Sequence, residues 1–301
     1  MTFSQTKECG FRAAKPAIPQ IEIGNAGYPA RLRELPSPPK SLWFVGQLPA
    51  QGQRLVAIVG ARAATRAGCD RAHALAADLG RGGIAIVSGG AFGIDAAAHE
   101  GALAVGASTF AVLGCGADVV YPDRHAKLFA RIAASGGLLS EYPPGTKPRP
   151  GQFPARNRII AGLALAVVVV EAAMRSGALI TARLARNYGR TLFAVPGSPG
   201  TDATLRAGLA LPATSAAHVE RVLAGERPCP MPAPPTPEPP AAGPLLAVLD
   251  AISLGADTPA ILCERLGMSL PSILAILAEA ELEGFVRRAA GNTYEDIGRA
   301  C

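Results

Sequence analysis

Arginines, glycines and carboxylates recur in this chain where short apolar runs end. The run Ile84-Ala-Ile-Val87 leads into Ser88-Gly89-Gly90-Ala-Phe-Gly93-Ile-Asp95 and then an alanine-rich stretch closing at His99. A strand, a glycine turn and a helix in that order leave bare backbone N–H groups at a helix N-terminus. Such groups are a seat for phosphate or another anion. Tight strand–helix packing needs the same turn, so alone it discriminates little. The other run ends carry Arg62, then Glu141 followed by Lys147, Arg149, Phe153 and Arg156-Asn157-Arg158, then Glu171 followed by Arg175. If the runs are parallel strands, their ends share one edge. The result is a rim of cations and helix N-termini suited to a sugar-phosphate backbone.

Plainer readings stand beside these. Arg62 is equally a surface residue of a strand–helix loop. Asp95 either caps its helix or holds the loop, and Glu171 is either a buried carboxylate paired with an arginine or a loop support. Arg156 and Arg158, flanking Asn157 ahead of an apolar helix, are costly unless they meet anions. His99 and Tyr188 read as packing residues. Asp95, Glu141 and Glu171 could make an acid–base set, yet no spacing fixes their separation. The turn Gly60-Ala-Arg-Ala-Ala-Thr65 is not G-x-G-x-x-G, which disfavours a dinucleotide. No Gly-Lys pair is present, which excludes a P-loop, and no G-x-S-x-G elbow occurs.

Composition narrows the class. Of 301 residues 49% are hydrophobic, enough for a full core, and the net charge of +6 hints at a polyanionic partner. The six cysteines are scattered without a C-x-x-C pair and the four histidines lack ligand spacing. No metal site, disulfide framework or cofactor is therefore expected. The absence of a basic-then-apolar leader, and an apolar stretch from Ile159 to Val170 that is too short to span a bilayer, suggest a cytoplasmic protein without membrane contact.

The elements that would position the rim are strands at Val56–Val59, Ile84–Val87, Thr109–Leu113, Gly137–Ser140, Val167–Val170 and Thr191–Val195. They are apolar on consecutive residues, as when helices cover both faces. Glycines at 80–83, 106, 136 and 189 precede four of them, as left-handed helix stops would. The expected fold is α/β, a doubly wound, mostly parallel Rossmann-like sheet with ligands at the strands' carboxyl ends. Residues 1–48 read as an N-terminal extension with Trp43-Phe44-Val45 as a short strand or anchor, and 49–225 as the Rossmann-like domain. Residues 226–243 read as a linker, nine prolines falling from Pro228 through Pro244. Residues 244–298 read as three short helices, at Pro244–Ser253, Thr258–Leu266 and Leu270–Glu283, followed by a hairpin. That is a small winged-helix-like domain.

In order along the chain stand Ser88-Gly-x-Ala-x-Gly-Ile-Asp95, Ser140-Glu-Tyr-Pro143 and Phe153-Pro-x-Arg-Asn-Arg-Ile-Ile-Ala-Gly162. Val170-Glu171, Ser176-Gly-x-Leu-Ile-Thr181, Gly189-Arg190 and Pro196-Gly197 follow. This series, covering roughly Tyr28 to Leu223, resembles the DNA-processing protein A (DprA/Smf) family of bacteria. The resemblance implies a non-enzymatic protein that binds incoming single-stranded DNA without sequence specificity, protects it, and helps load the RecA recombinase during natural transformation. It also implies a homodimer built on the Rossmann-like domain, and a C-terminal domain contacting duplex DNA or protein. Carried onto this sequence, DNA would meet Arg62, the Ser88–Asp95 turn with Gly89 and Gly93, Lys147, Phe153, Arg156, Asn157, Arg158 and Arg175. Asp95 and Glu171 would support the loops. Two positions depart from the family pattern: Phe92 stands where some members have lysine, and Asp202 follows Gly200-Thr201 where asparagine is usual. The helical domain with which many members begin is not expected in the fifty residues before the core. A nucleotide-processing enzyme of phosphoribohydrolase type is the alternative on this sheet. Pro196-Gly-Ser-Pro-Gly-Thr201 only partly echoes that group's motif and no glutamate follows within the next turn.

Overall fold

The computed structural model describes residues 17–174, 176–226, 243–283, 285–289 and 293–296. The chain runs β1 (Gln20–Glu22), α1 (Ala30–Arg33), β2 (Ser41–Gly46), β3 (Leu55–Val59), α2 (Arg66–Arg81), β4 (Ala85–Ser88), α3 (Ile94–Ala104) and β5 (Thr109–Val112). It continues through α4 (Ala126–Ser135), β6 (Gly137–Ser140), α5 (Gln152–Leu163), β7 (Ala166–Val169), α6 (Gly177–Asn187), β8 (Thr191–Ala194), α7 (Pro199–Arg206), β9 (Leu211–Pro212) and α8 (Ala216–Leu223). Then come α9 (Pro244–Ser253), α10 (Pro259–Leu266), α11 (Leu270–Glu283) and the antiparallel pair β10 (Val286–Arg288) and β11 (Tyr294–Asp296).

Nine strands form one sheet in the order β1-β2-β6-β5-β4-β3-β7-β8-β9. From β6 to β9 every pairing is parallel. β3 to β7 are fully buried along their lengths, which explains their unbroken apolar sequence. One face packs Val59, Val87, Val112 and Val169 against Ile159, Ile160 and Ala182 from α5 and α6. The other packs Ile58, Ile86 and Val168 against Leu75, Ala98 and Val219 from α2, α3 and α8. The order reverses at β3, between β4 and β7, and a doubly wound sheet opens its ligand crevice at such a reversal.

Two expectations change. Part of the expected N-terminal extension is sheet: β2 pairs antiparallel with β6, and β1 with β2, while Leu42 and Tyr28 are fully buried. The strand read at Trp43–Val45 is the middle of β2, whereas β1, with Ile21 alone between Gln20 and Glu22, gave no apolar run to read. Of the helix-stopping glycines, Gly83, Gly106 and Gly189 do take positive φ. Gly136 is extended, and a Cβ there would collide with the Thr109 carbonyl, so close packing requires the glycine.

α9, α10 and α11 enclose Val248, Ile252, Leu262, Ile273 and Leu277 with Phe285, Val286 and Tyr294 of the hairpin, the core of a winged helix. Among the described residues no single helix is long and apolar enough to cross a membrane.

Candidate nucleic-acid interface

Near the starts of three helices at the rim, a carboxylate satisfies backbone N–H groups. Asp95, in the first turn of α3, accepts from the N–H groups of Gly89 (3.1 Å) and Ala91 (3.4 Å). Glu171, just past β7, accepts from the Thr65 N–H (3.1 Å) and hydroxyl (2.7 Å), and Thr65 caps α2. Asp202, in α7, accepts from the Gly197 N–H at 2.8 Å. Two N–H donors expected to face an anion at the glycine turn are thus already used inside the protein. An asparagine oxygen could accept the Gly197 bond equally, so Asp202 preserves this turn.

Arg156 is 5% exposed and works from the other side of that turn. Its guanidinium donates to the carbonyls of Gly89 (2.7 Å) and Val112, and to the Asn157 side chain (3.1 Å). Burial lowers its pKa to about 10, although Asp95 pulls the other way, so it stays charged at neutrality. Burial raises the Asp95 carboxyl, opposed by Arg156 and the two N–H donors. The anion that Arg156 was expected to meet is largely replaced by backbone carbonyls and Asp95. The turn needs glycine for concrete reasons: a Cβ at Gly89 would strike the Arg156 guanidinium, and one at Gly93 (φ +73°) the carbonyls of Ala61 and Arg62. That close approach seats α3 against the loop after β3.

Above the turn lies a cavity of about 470 Å³ lined by Arg62, Ala91, Asp95, Tyr121, Phe153, Arg156, Asn157 and the start of α6. Arg62 is exposed, and its guanidinium lies 5.3 Å from the centre of the Phe153 ring, a cation–π contact. Tyr121 leans on the aromatic member of this pair, its ring centre 5.5 Å from that of Phe153.

Of the residues singled out in the sequence, the fold brings together Arg62, Asp95, Phe153, Arg156 and Asn157, with Gly89 in an adjoining recess. Ser88 is fully buried, its hydroxyl on the Ile58 carbonyl at 2.6 Å, and Gly93 packs beneath the loop. Arg158 turns away into a part-buried ion pair with Glu141 at 2.6 Å. Lys147 is exposed on the loop between β6 and α5 and does not line the cavity. Arg175 lies outside the described residues. His99 and Tyr188 are packing residues as expected. Tyr121 went unnoticed in the sequence; an aromatic before Pro122 on a long loop was the available signal.

A mostly parallel, doubly wound sheet with an arginine–aromatic cavity at its reversal point, followed by a winged helix, defines the class of this protein as α/β with a candidate anion-binding rim. The model of the DNA recombination-mediator protein A family matches residues 20–223, and that of the DprA winged helix domain residues 232–292. The chain belongs to the DNA recombination-mediator protein A, or DprA/Smf, family. Protein Smf of Synechocystis sp. is 51% identical over 57% of this chain and 44% of its own. Protein Smf of Escherichia coli is 36% identical over 91% of this chain and 76% of its own. The chain spans about half the length of the first curated relatives it matches. Among solved structures, DNA processing protein A of Streptococcus pneumoniae superposes with a TM-score of 0.63 at 40% identity, covering 70% of this chain and 75% of that one. The Helicobacter pylori protein, whose structure addresses its single-stranded DNA binding mode, gives 0.61 at 33%, covering 69% and 97%.

Proposed function

We propose that this chain binds single-stranded DNA at the rim cavity without reading its sequence, protects it, and helps load a RecA recombinase during transformation. The observation that carries the reading is Arg62, an exposed cation held over Phe153 at the sheet's reversal point. An arginine on an aromatic ring offers charge to phosphate and an apolar neighbour to a base, and neither contact selects a sequence. Membership of the family and the single-stranded DNA binding of the Helicobacter pylori protein support the same reading. Asp95, Glu171 and Asp202 hold backbone N–H groups and Glu141 is paired with Arg158, engagements that favour a binding role over acid–base catalysis. The site residues proposed to meet DNA directly are Arg62 and Phe153, with Asn157 and Lys147 along the strand's path; Arg175, expected beside them from the sequence, lies outside the described residues. The domain limits, 49–225 for the binding domain and 244–298 for the winged helix, and a homodimer through the former, belong to the same proposal.

The test is fluorescence anisotropy of labelled oligo-dT at 50 and 200 mM salt with duplex of equal length as competitor. Neutralising about four phosphates gives about a fifty-fold loss of affinity across that range, at a slope of about −0.7 per phosphate. Salt-dependent binding that duplex barely displaces is the expected result. Absence of binding to either DNA overturns the reading.

A further inference from the structure

At the edge of the sheet opposite the rim, a shallow cleft of about 350 Å³ opens between the start of β8 and the turn from α7 into β9. Arg186, Arg190 and Thr191 line one side, Leu209 and Leu211 the other, and none of them belongs to the rim cavity. Two cations here have donors to spare. Arg186 is exposed in the last turn of α6, and its side chain makes no hydrogen bond or ion pair among the described residues. The Arg190 side chain is 11% exposed. Its Nη2 donates to Glu34 at 3.3 Å and to the Gly162 carbonyl at 3.2 Å, while the buried Nε beside it finds no partner among the described residues. Nε and Nη2 form the side of a guanidinium that grips an oxyanion with two parallel bonds. In Arg190 that side is half used, and its bonds stand at the long end of the normal range.

Arg31 adds a third charge nearby: burial, then the charge of Arg190, lower its pKa, so the two guanidinium groups feel each other. An arginine near a helix C-terminus is ordinary, because that end carries about half a negative charge. The ends of α5 and α6 together offset about one of the three arginines. Glu34, whose side chain is largely exposed, offsets another. About one positive charge is left beside the cleft.

We propose that this cleft is a second anion site, which takes a phosphate group between Arg186 and Arg190. Arg190 turns its Nε–Nη2 side from Glu34 to the phosphate oxygens, and Arg186 meets the oxygens that remain. A carboxylate satisfies one guanidinium, whereas a phosphate has enough oxygens to be shared by two. The phosphate is that of a free ligand or of a DNA backbone, and the site stands apart from the rim and from what binds there.

The experiment measures binding of inorganic phosphate by equilibrium dialysis to the full chain carrying Arg62→Ala, so that the free cation of the rim is absent. Saturable binding is expected. Adding Arg186→Gln is expected to weaken it at least about tenfold, the worth of one charge-assisted hydrogen bond at the lower end of its range. Glu34→Gln, which removes the competing carboxylate, is expected to tighten it. Arginines that only complement helix ends would give neither change. Oligo-dT titrations of Arg186→Gln alone then tell the source: a salt slope shallower by about 0.7 assigns the site to a DNA backbone, and an unchanged slope to a free phosphate ligand. No saturable phosphate binding, or binding that Arg186→Gln leaves unchanged, overturns the site, and neither result bears on DNA binding at the rim.

Discussion

Asp95 and Arg156 hold the two polar groups of one residue, Gly89: the carboxylate accepts its N–H at 3.1 Å and the guanidinium donates to its carbonyl at 2.7 Å. Both side chains are buried, so the turn at the sheet's carboxyl edge is built around an internal pair of opposite charges. The cations of this rim accordingly divide into those that shape it and those free to meet a ligand.

Arg156 shapes. Arg156→Ala removes the donors to the Gly89 and Val112 carbonyls and leaves Asp95 buried without its counter-charge. Breaking such a buried arrangement costs about 3 to 5 kcal/mol. The expected outcome is a drop of several degrees in melting temperature by calorimetry, accompanied by weakened DNA binding. A variant with unchanged melting temperature and lost DNA affinity would assign Arg156 to phosphate instead.

Arg62 meets ligand. No hydrogen bond or ion pair of the Arg62 side chain is found among the described residues, and its contact with Phe153 is worth about 0.5 to 1 kcal/mol at an exposed site. Arg62→Ala should leave melting within about two degrees of the parent. Its oligo-dT salt slope should become shallower by about 0.7, one phosphate's worth. Anisotropy titrations at three salt concentrations measure this directly.

His99 sets a pH dependence. Thr109 donates its hydroxyl to the Ile86 carbonyl, so it accepts from His99 Nδ1, and the buried Nε2 finds no hydrogen-bond partner among the described residues. Burial, then the charges of Arg156 and His125, lower the His99 pKa to about 3 from its ordinary 6.5. The unfolded chain therefore takes up this proton first as pH falls. Stability from this group is present above about 6.5 and declines by about 1.4 kcal/mol per pH unit between 6.5 and 3. The raised Asp95 carboxyl acts in the opposite sense, so the comparison of parent with His99→Leu isolates the histidine. Urea titrations at pH 7, 6 and 5 should show a smaller fall in the variant.

The winged helix bears on duplex binding. α11 occupies the position of a recognition helix, yet it holds no lysine or arginine and three glutamates, Glu279, Glu281 and Glu283. It exposes Leu270 and Leu274 instead. Backbone phosphates repel such a face, which suits a protein contact. The variant Leu270→Asp/Leu274→Asp in the full chain should not change displacement of oligo-dT by duplex. A clear weakening of duplex competition would place α11 in the groove after all.

The alternation of apolar runs with helical segments made the parallel sheet legible from the sequence, because strands buried on both faces must be apolar throughout. The ordered series from Ser88 to Gly197 likewise identified the family. Arg62 and Phe153 were correctly placed at one edge, since strand order alone sends both loops there. What only the tertiary structure decided is which charges face outward. Sequence spacing treats Arg62, Arg156 and Arg158 alike, but folding aims Arg156 at the Gly89 and Val112 carbonyls and pairs Arg158 with Glu141. Arg62 is left on Phe153. Side-chain direction depends on what packs opposite, and the partners of Arg156 and Arg158 across the fold lie 17 to 67 positions away along the chain. The same holds for Tyr121, whose loop carries it to Phe153 only once β5 and α5 are in place. Local pattern dictates which elements form, because burial and backbone bonding act over a few residues; contacts across the sheet decide which of their side chains remain free to bind.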